Sequence, residues 1–438
     1  MVVVITALIG AVTGYTCYLV AKEMKLDRPE MGLVFVVFQA YFFPVNYSAL
    51  TEPIAAALIS LALLFHLRSQ HLGFAICGSL LPLARPELSI FVVIWAVVLF
   101  QKRTLLLIPL LGVPVLLWGV ASAIIQGDIL ALPNMIFTGQ ENRYGHGTWY
   151  TYPQRYIWAT GPVVFYLAFL GFIGRVFRRK LDLLLTLMVT GFIIYVIFSW
   201  KLSIGHAAGF LRNLVVLAPM AGILALEGFN RWWPRAGSVV GKGERLWLAL
   251  GSAVCVLLTV FFWSYVLHHH HSVGQERDYT NLLFVGGLSL LFVLRNFVLP
   301  ALRSSFADVF VTVAVALLVI GYTLVTEPPI GLTPERQLMK QVASWHASKN
   351  VSGTTYVNHP WFFYAHGSMP TDAGFDLVTV ANLDSARSGD LVIWESHYAH
   401  RLQGDVQMDY FKENPDWVPV FQRLASDRRF STLVFRRR

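Results

Sequence analysis

The sequence predicts an α-helical polytopic membrane protein of about 12 spans, closed by a small C-terminal extracytoplasmic α/β domain. Three observations predict it. The 438 residues are 56% hydrophobic and only 13% charged, with a mean hydropathy of +0.57, whereas a soluble globular chain is about one quarter charged. Apolar runs close to spanning length recur from the N-terminus to about residue 325, and a membrane helix needs about 20 such residues. After Pro328-Pro329 the apolar runs cease and the composition turns polar. Two domains are therefore expected, 1–330 in the membrane and 331–438 outside it.

The twelve runs are 2–21, 31–46, 51–67, 72–84, 88–100, 104–125, 156–174, 181–200, 211–229, 247–266, 282–299 and 307–325. Those at 72–84 and 88–100 are short, and one of them is a candidate re-entrant segment. Met1–Ala21 has no basic leader and no cleavage site, so it reads as a span rather than a signal peptide. Cys17, Cys77 and Cys255 fall inside apolar runs without metal spacing and read as small apolar filler.

Orientation follows from the basic residues. One set of loops holds Lys22, Lys25, Arg28, Arg68, Lys102, Arg103, Arg175, Arg178, Arg179, Lys180, Arg231, Arg235, Lys242, Arg245, Arg295 and Arg303. The other holds Arg85, Arg143, Arg155, Lys201, Arg212 and Arg277. The first set is richer by more than two to one and is assigned to the cytoplasm. The same pattern removes the net charge of +9 as a nucleic-acid signal, because the basic residues punctuate apolar runs. It also puts both the N-terminus and the polar C-terminal domain outside. An outside N-terminus without a leader is unusual, so one span and an outer loop are expected upstream of Met1; the alternative is a first helix inserted N-terminus out.

In the polar domain, Thr333 is an expected cap with Pro334 at the first helical position, and the helix runs to about Ser348. Strands are expected at Thr354–Asn358, Asp390–Glu395, Trp417–Leu424 and Ser431–Arg436, with a helix at Asp405–Glu413 stopped by Asn414-Pro415. Asp372, Asp376, Asp390, Glu395, His397 and His400 are scattered there without the spacing of a nucleophile and its base or of a phosphate loop. Gly389-Asp390 reads as a turn before a strand.

Chemistry is expected on the outer surface of the membrane half, where acid and base mix: Glu52, Arg85, Glu87, Asp128, Glu141, Arg143, His146, Arg155, Lys201, His206 and Arg212. Such a mixture suits an anionic head group beside a general acid or base. Thr51-Glu52-Pro53 and Arg85-Pro86-Glu87 bracket two runs that cross and return, so both emerge on one side. Glu52 is either a cavity residue or first-turn decoration favoured by the helix dipole. Arg85 either faces a phosphate or pairs locally with Glu87. The 140–153 stretch QENRYGHGTWYTYP suits a sugar, with rings for its apolar face and amides for its hydroxyls; an interfacial aromatic belt would look alike. In the 201–212 stretch KLSIGHAAGFLR, Lys201, His206 and Arg212 could hold a phosphate, Arg212 best through its guanidinium fork; snorkelling is the plainer reading. The four histidines His268–His271 read as an interfacial run. Asn46-Tyr-Ser48 and Asn350-Val-Ser352 are outer-side sequons of low specificity.

The 7–24 stretch ALIGAVTGYTCYLVAKEM, NYSALTEP from Asn46, GSLLPLARPE from Gly78 and FLRNLVVLAPMAGILALEG from Phe210 together resemble the GT-C-type polytopic glycosyltransferases, in particular the bacterial dolichyl-phosphate-mannose-mannosyltransferase-like (family 39-like) proteins. The resemblance covers most of 1–330 at the level of pattern. It implies a hexosyltransferase of the cell envelope that moves a sugar from a polyprenyl-phosphate carrier to a glycan, lipid or protein acceptor on the outer face. A divalent cation, where such an enzyme uses one, assists the phosphate leaving group. By matching position Arg212 becomes a lipid-phosphate ligand, and Glu52 and Arg85 line the cavity. These enzymes carry a catalytic carboxylate in a first outer loop, after a first span. This chain begins at what resembles the following span, which agrees with the charge argument. The resemblance therefore implies that the family's general base is missing from this sequence, which is then truncated or inactive as written, or else that catalysis rests on Glu52, Glu87 or Asp128.

Two other readings compete. A transporter or flippase for a lipid-linked sugar would want ionisable residues in mid-span and often paired repeats, whereas the charges here gather at span ends. A membrane scaffold whose outer domain binds a partner would not need the clustered Glu and Arg.

Overall fold

The computed structural model describes residues 2–48, 50–130, 147–202, 210–235, 241–269, 275–298, 305–326, 332–349, 351, 353–402 and 406–438. The chain divides into two compact units, Met1–Pro329 and Ile330–Arg438.

The first unit is an α-helical polytopic membrane protein. Among its described residues seven helices are long and apolar enough to cross a membrane, or eight if the bent pair Thr151–Thr160 and Pro162–Phe177 is one span. Its helices are α1 (Val2–Glu23), α2 (Pro29–Val37), α3 (Phe42–Val45), α4 (Glu52–Leu67), α5 (His71–Ala84), α6 (Ser89–Gln101), α7 (Val113–Gln126), α8 (Thr151–Thr160), α9 (Pro162–Phe177), α10 (Leu183–Ile197), α11 (Ala218–Trp232), α12 (Lys242–His269), α13 (Gln275–Val293) and α14 (Ser305–Thr326). The twelve apolar runs all fall on helix, but not all as unbroken spans. The run at 31–46 breaks into α2 and α3. At the break, Gln39 Nε2 donates to Phe35 O (2.8 Å) and Ala218 O (2.9 Å), so an amide ties the interrupted backbone to a neighbouring helix. The run at 156–174 begins earlier and bends by 115° at Gly161, whose φ of 79° favours glycine; Pro162 then opens α9. α4, α5 and α6 are the short apolar helices, of 16, 14 and 13 residues.

α11, with the 3₁₀ segment Leu211–Leu217 before it, is buried along nearly all its length, as an apolar helix surrounded by others must be. It packs hardest on α9. A Cβ at Gly171 would meet the carbonyl of Leu224, and one at Gly228 the carbonyl of Leu167, so small residues let two backbones touch.

At the end of the unit that carries the richer set of basic residues, much of that charge is internal. Arg175 is fully buried; its Nε donates to Glu227 Oε2 at 2.8 Å, and it pairs further with Glu227 and Asp182. Arg231 bridges Glu227 and Glu244, each at 3.3 Å, and Arg178 meets Glu244 at 2.7 Å. Arg28 donates to Trp233 O (2.9 Å) and Asn230 Oδ1 (3.2 Å). Residues that read as loop charge therefore also join α9, α11 and α12.

The second unit is a five-stranded sheet between helices. α15 (Pro334–Ala347) leads to β1 (Thr355–Val357), α16 (Pro360–His366), β2 (Phe375–Asp376), α17 (Val380–Asp384), β3 (Leu391–Glu395), α18 (Met408–Glu413), β4 (Trp417–Leu424) and β5 (Ser431–Arg437). The order is β2-β1-β3-β5-β4, with β2, β1 and β3 parallel and β5 and β4 antiparallel. One face packs on α15 and α16 through Met339, Val342, Phe362 and Ile393; the other packs on α17 and α18 through Leu383, Phe411, Val392 and Phe435. Thr333 caps α15, accepting from Arg336 N. Asp390 is the turn anchor: it accepts from Thr354 N (2.8 Å) and Arg387 N (2.7 Å).

Candidate functional site

α4 and α5 form a hairpin, turning through Arg68–Gln70, so the start of α4 and the end of α5 lie together. There Arg85 takes an extended backbone, φ −149° and ψ 105°, as the residue before a proline is driven to do. Its Nη1 donates to Glu52 Oε1 at 2.7 Å, its Nε to Glu87 Oε1 at 2.6 Å and its Nη2 to Asn213 Oδ1 at 2.8 Å. Asn213 Nδ2 donates to the Tyr152 hydroxyl at 3.0 Å. Arg212 Nε lies 3.6 Å from Glu52 Oε1, and its guanidinium sits over the Phe210 ring. Five chain segments thus converge on one polar cluster: α4, the α5–α6 break, α8, α10 and the 3₁₀ segment.

Much of the cluster is buried, and some of its polar atoms have no hydrogen-bond partner among the described residues. Glu52 is 1% exposed. Among the described residues, Glu52 Oε2, Arg212 Nε and the Tyr195 hydroxyl are buried without a hydrogen-bond partner. A buried polar atom left unpaired costs about 1–3 kcal/mol, so three in one place mark a spot where a ligand or water can be received. Arg85 is different: each of its three nitrogens donates to a protein acceptor, so it ties the cluster together. Arg212, at 37% side-chain exposure, is the guanidinium with reach toward a ligand. Glu52 and Glu87 both turn onto Arg85. Among the described residues no group of three or more His, Cys, Asp or Glu is arranged to hold a metal ion.

The same unit contains an apolar groove of about 400 Å³. Its walls come from α8, α9, α10, α11, α12 and α13, with Tyr156, Phe169, Phe192, Leu224 and Phe262 among the lining. Two helices carry both features. On α8, Tyr152 belongs to the cluster and the next residues, Pro153 and Gln154, to the groove. On α10, Phe192 lines the groove and Tyr195, one turn on, enters the cluster, its ring 6.1 Å from that of Tyr152.

Of the residues expected from sequence, the structure brings together Glu52, Arg85, Glu87 and Arg212. Asp128 accepts from Leu130 N at 2.8 Å in its own turn. Lys201 is exposed and lies over Trp200, 4.1 Å from the ring centroid. Arg143, His146 and His206, like Glu141, lie outside the described residues. Sequence reading did not single out Asn213, Tyr152 or Tyr195. Asn213 adjoins Arg212, and Tyr152 sits at the end of the aromatic stretch; Tyr195 is one tyrosine in an apolar run and gave no signal.

No family model matches the chain, and no curated protein matches it. Among solved structures, the crystal structure of ArnT from Cupriavidus metallidurans bound to undecaprenyl phosphate is similar at a TM-score of 0.47 and 12% identity, over 99% of this chain and 83% of that one. A likeness at this level assigns no residue a role.

Proposed function

We propose that the protein is a membrane glycosyltransferase that moves a sugar from a polyprenyl-phosphate carrier to a glycan, lipid or protein acceptor on the outer face of the membrane. One observation carries the reading: a largely buried polar cluster with unpaired acidic and basic atoms and an apolar groove are built on the same two helices, α8 and α10, which contribute residues to both. A carrier lipid has the same two-part chemistry. Its hydrocarbon chain suits the groove, and its phosphate suits Arg212, whose fork fits phosphate oxygens. The resemblance to the GT-C-type, family 39-like enzymes points the same way.

The chemistry is a displacement at the anomeric carbon. The acceptor O–H attacks, the bond from that carbon to the carrier phosphate breaks, and the carrier leaves as the phosphate. Arg212 stabilises the charge that develops on the leaving oxygen. Glu52, with Oε2 unpaired, accepts the acceptor's proton. Arg85 and Asn213 position Glu52 and Tyr152. Glu87 holds Arg85 from its other side.

The test is turnover in detergent. Purified protein incubated with a radiolabelled polyprenyl-phosphate sugar and a membrane extract as acceptor source should release carrier phosphate and form a labelled glycoside. A flippase would make no new glycosidic bond and would need a sealed membrane. Failure to consume donor in detergent, with carrier moved across sealed vesicles, would replace this reading by transport.

A further inference from the structure

The second unit contains a topological switch point that the proposed transfer site does not use. β1 and β3 are adjacent and parallel. The chain leaving β1 enters α16 on one face of the sheet, and the chain leaving β3 passes through Ala399 to α18 on the other. The two connections part at the strands' carboxyl ends, where open α/β sheets form their ligand crevices.

The residues at that crevice carry chemistry. Asn358 and His359 follow β1; Ser396, His397 and Tyr398 follow β3. The first turn of α15 supplies Glu335 between them. Glu335 Oε1 accepts from His359 Nε2 at 2.9 Å and from His397 Nδ1 at 2.8 Å. Burial works against the Glu335 carboxylate, but the two imidazole hydrogen bonds and their charge outweigh it and hold its pKa at about 2. Below, Glu395 is fully buried and accepts from the backbone N–H of His397, Tyr398 and Ala399, which fixes the loop. At the rim, Arg336 lies over the Trp361 ring at 4.7 Å, and Tyr364, 77% exposed, packs edge-on against Trp361.

The composition selects the ligand. Switch points often take nucleotides, but here the loop after β1 is Asn358-His359-Pro360, with no glycine to bring backbone N–H groups onto a phosphate, and the crevice centre is a fixed carboxylate that repels anions. His359 is 1% exposed and both its ring nitrogens are taken, Nε2 by Glu335 and Nδ1 by the Trp361 N–H at 3.1 Å, so it holds Glu335 from beneath. The carboxylate, the His397 imidazole and the guanidinium beside the exposed Tyr364 ring match a neutral, hydroxyl-rich ligand, whose hydroxyls bond to the polar groups while its apolar face stacks on the ring.

We propose that this crevice is a carbohydrate-binding site, with Glu335 and His397 as its polar floor, His359 holding Glu335 in place, and Arg336, Trp361 and Tyr364 as its rim, taking a strand of neutral glycan. The site stands on this geometry alone; that the glycan is the acceptor rests on the transferase reading.

The experiment is saturation-transfer NMR and calorimetric titration of the full-length protein in detergent with linear tetrasaccharides of mannose, glucose, galactose and N-acetylglucosamine. At least one should bind. Tyr364→Ala, at an exposed position that leaves the fold intact, and Glu335→Gln should each weaken it about tenfold or more, with saturation transfer centred on the aromatic protons. Absence of binding by the whole panel overturns the proposal. So does binding unchanged in both variants, including the case where Glu335→Gln lowers only the melting temperature, which is what a purely structural tie would give. Glycan binding without donor turnover would leave this site standing and remove the transferase reading.

Discussion

The cluster around Arg85 separates two kinds of arginine, and the separation is testable residue by residue. Arg85 is 17% exposed and bonded to Glu52, Glu87 and Asn213. Arg85→Ala strands the buried carboxylate of Glu52 and the half-buried one of Glu87, and breaking a buried pair from one side costs ~3–5 kcal/mol. A large drop in melting temperature is expected, whatever happens to activity. Among the described residues Arg212 has a single ion-pair partner, Glu52 at 3.6 Å, besides the Phe210 ring under its guanidinium. Arg212→Ala should leave the melting temperature nearly unchanged and weaken binding of a fluorescent polyprenyl phosphate about tenfold or more, since a hydrogen bond to a charged group contributes about 1.5–3 kcal/mol. Equal binding by wild type and variant would remove Arg212 from the site. Glu52→Gln keeps the acceptor to Arg85 but loses the base, so turnover should fall about 10²-fold or more with little change in donor binding; wild-type turnover would make Glu52 a helix-end residue with an ion pair. That Glu52 and Arg85 come out on the same side was legible, because the run between them crosses and returns; that they pair was not. Which arginine is the tie was not legible: it depends on Asn213 Oδ1, 128 positions away in the chain.

At the scale of elements, packing between α9 and α11 rests on two glycines whose missing side chains face backbone carbonyls. Gly228→Ala pushes a methyl into Leu167 O. Overpacking of this kind costs about 1–3 kcal/mol, and because backbone rather than a flexible side chain is met, the upper end is expected; thermal unfolding in detergent measures it. In the second unit α15 is joined to β1 through a buried imidazole: His346 Nε2 bonds to Thr355 Oγ1 at 2.9 Å, and His346 Nδ1 lies 3.1 Å from His366 Nε2. Burial first, and the His366 charge second, push the His346 pKa down to about 4 from 6.5. The fold therefore favours neutral His346, and the unfolded chain binds more protons between those values. Its contribution is complete above about pH 6.5 and is lost as pH falls toward 4. Glu335, held near 2 against 4.5 when unfolded, adds a second loss below about pH 4.5. Hydrogen exchange of peptides from α15 and β1, corrected for its intrinsic pH dependence, should accelerate from pH 7 to pH 5 in the wild type and less so in His346→Gln. Element positions were legible from apolar periodicity and from caps such as Thr333. The break at Gln39 and the 115° bend at Gly161 were not, since a run of apolar residues looks the same whether the helix continues or turns.

At the scale of the whole molecule, sequence reading succeeds where the bilayer imposes the rule and fails where charges are used inside the protein. Length and hydropathy mark the helices because every backbone polar group in lipid must be bonded internally. The basic residues orient the chain on the assumption that they face water. Arg28, Arg175 and Arg295 are instead buried, at 4% exposure or less, so part of that signal is packing. The orientation expected from charge keeps the remaining exposed residues, Lys102, Arg103, Arg178, Arg179 and Arg235 among them, in its favour, and it makes a prediction on which the outer-face proposal depends. Cys17, Cys77 and Cys255 are all buried, so a single introduced cysteine should report its own side with little background. Ser48→Cys lies near the Glu52 cluster, Gln101→Cys at the opposite end of α6, and Ser385→Cys on the second unit; all three positions are exposed. In intact cells a membrane-impermeant maleimide should label Ser48→Cys and Ser385→Cys at once and Gln101→Cys only after permeabilisation. The reverse pattern would put the cluster and the α/β unit in the cytoplasm. The proposed transfer at the outer face would then fail, because donor, acceptor and the crevice beside β1 and β3 would all have to be supplied from the other side.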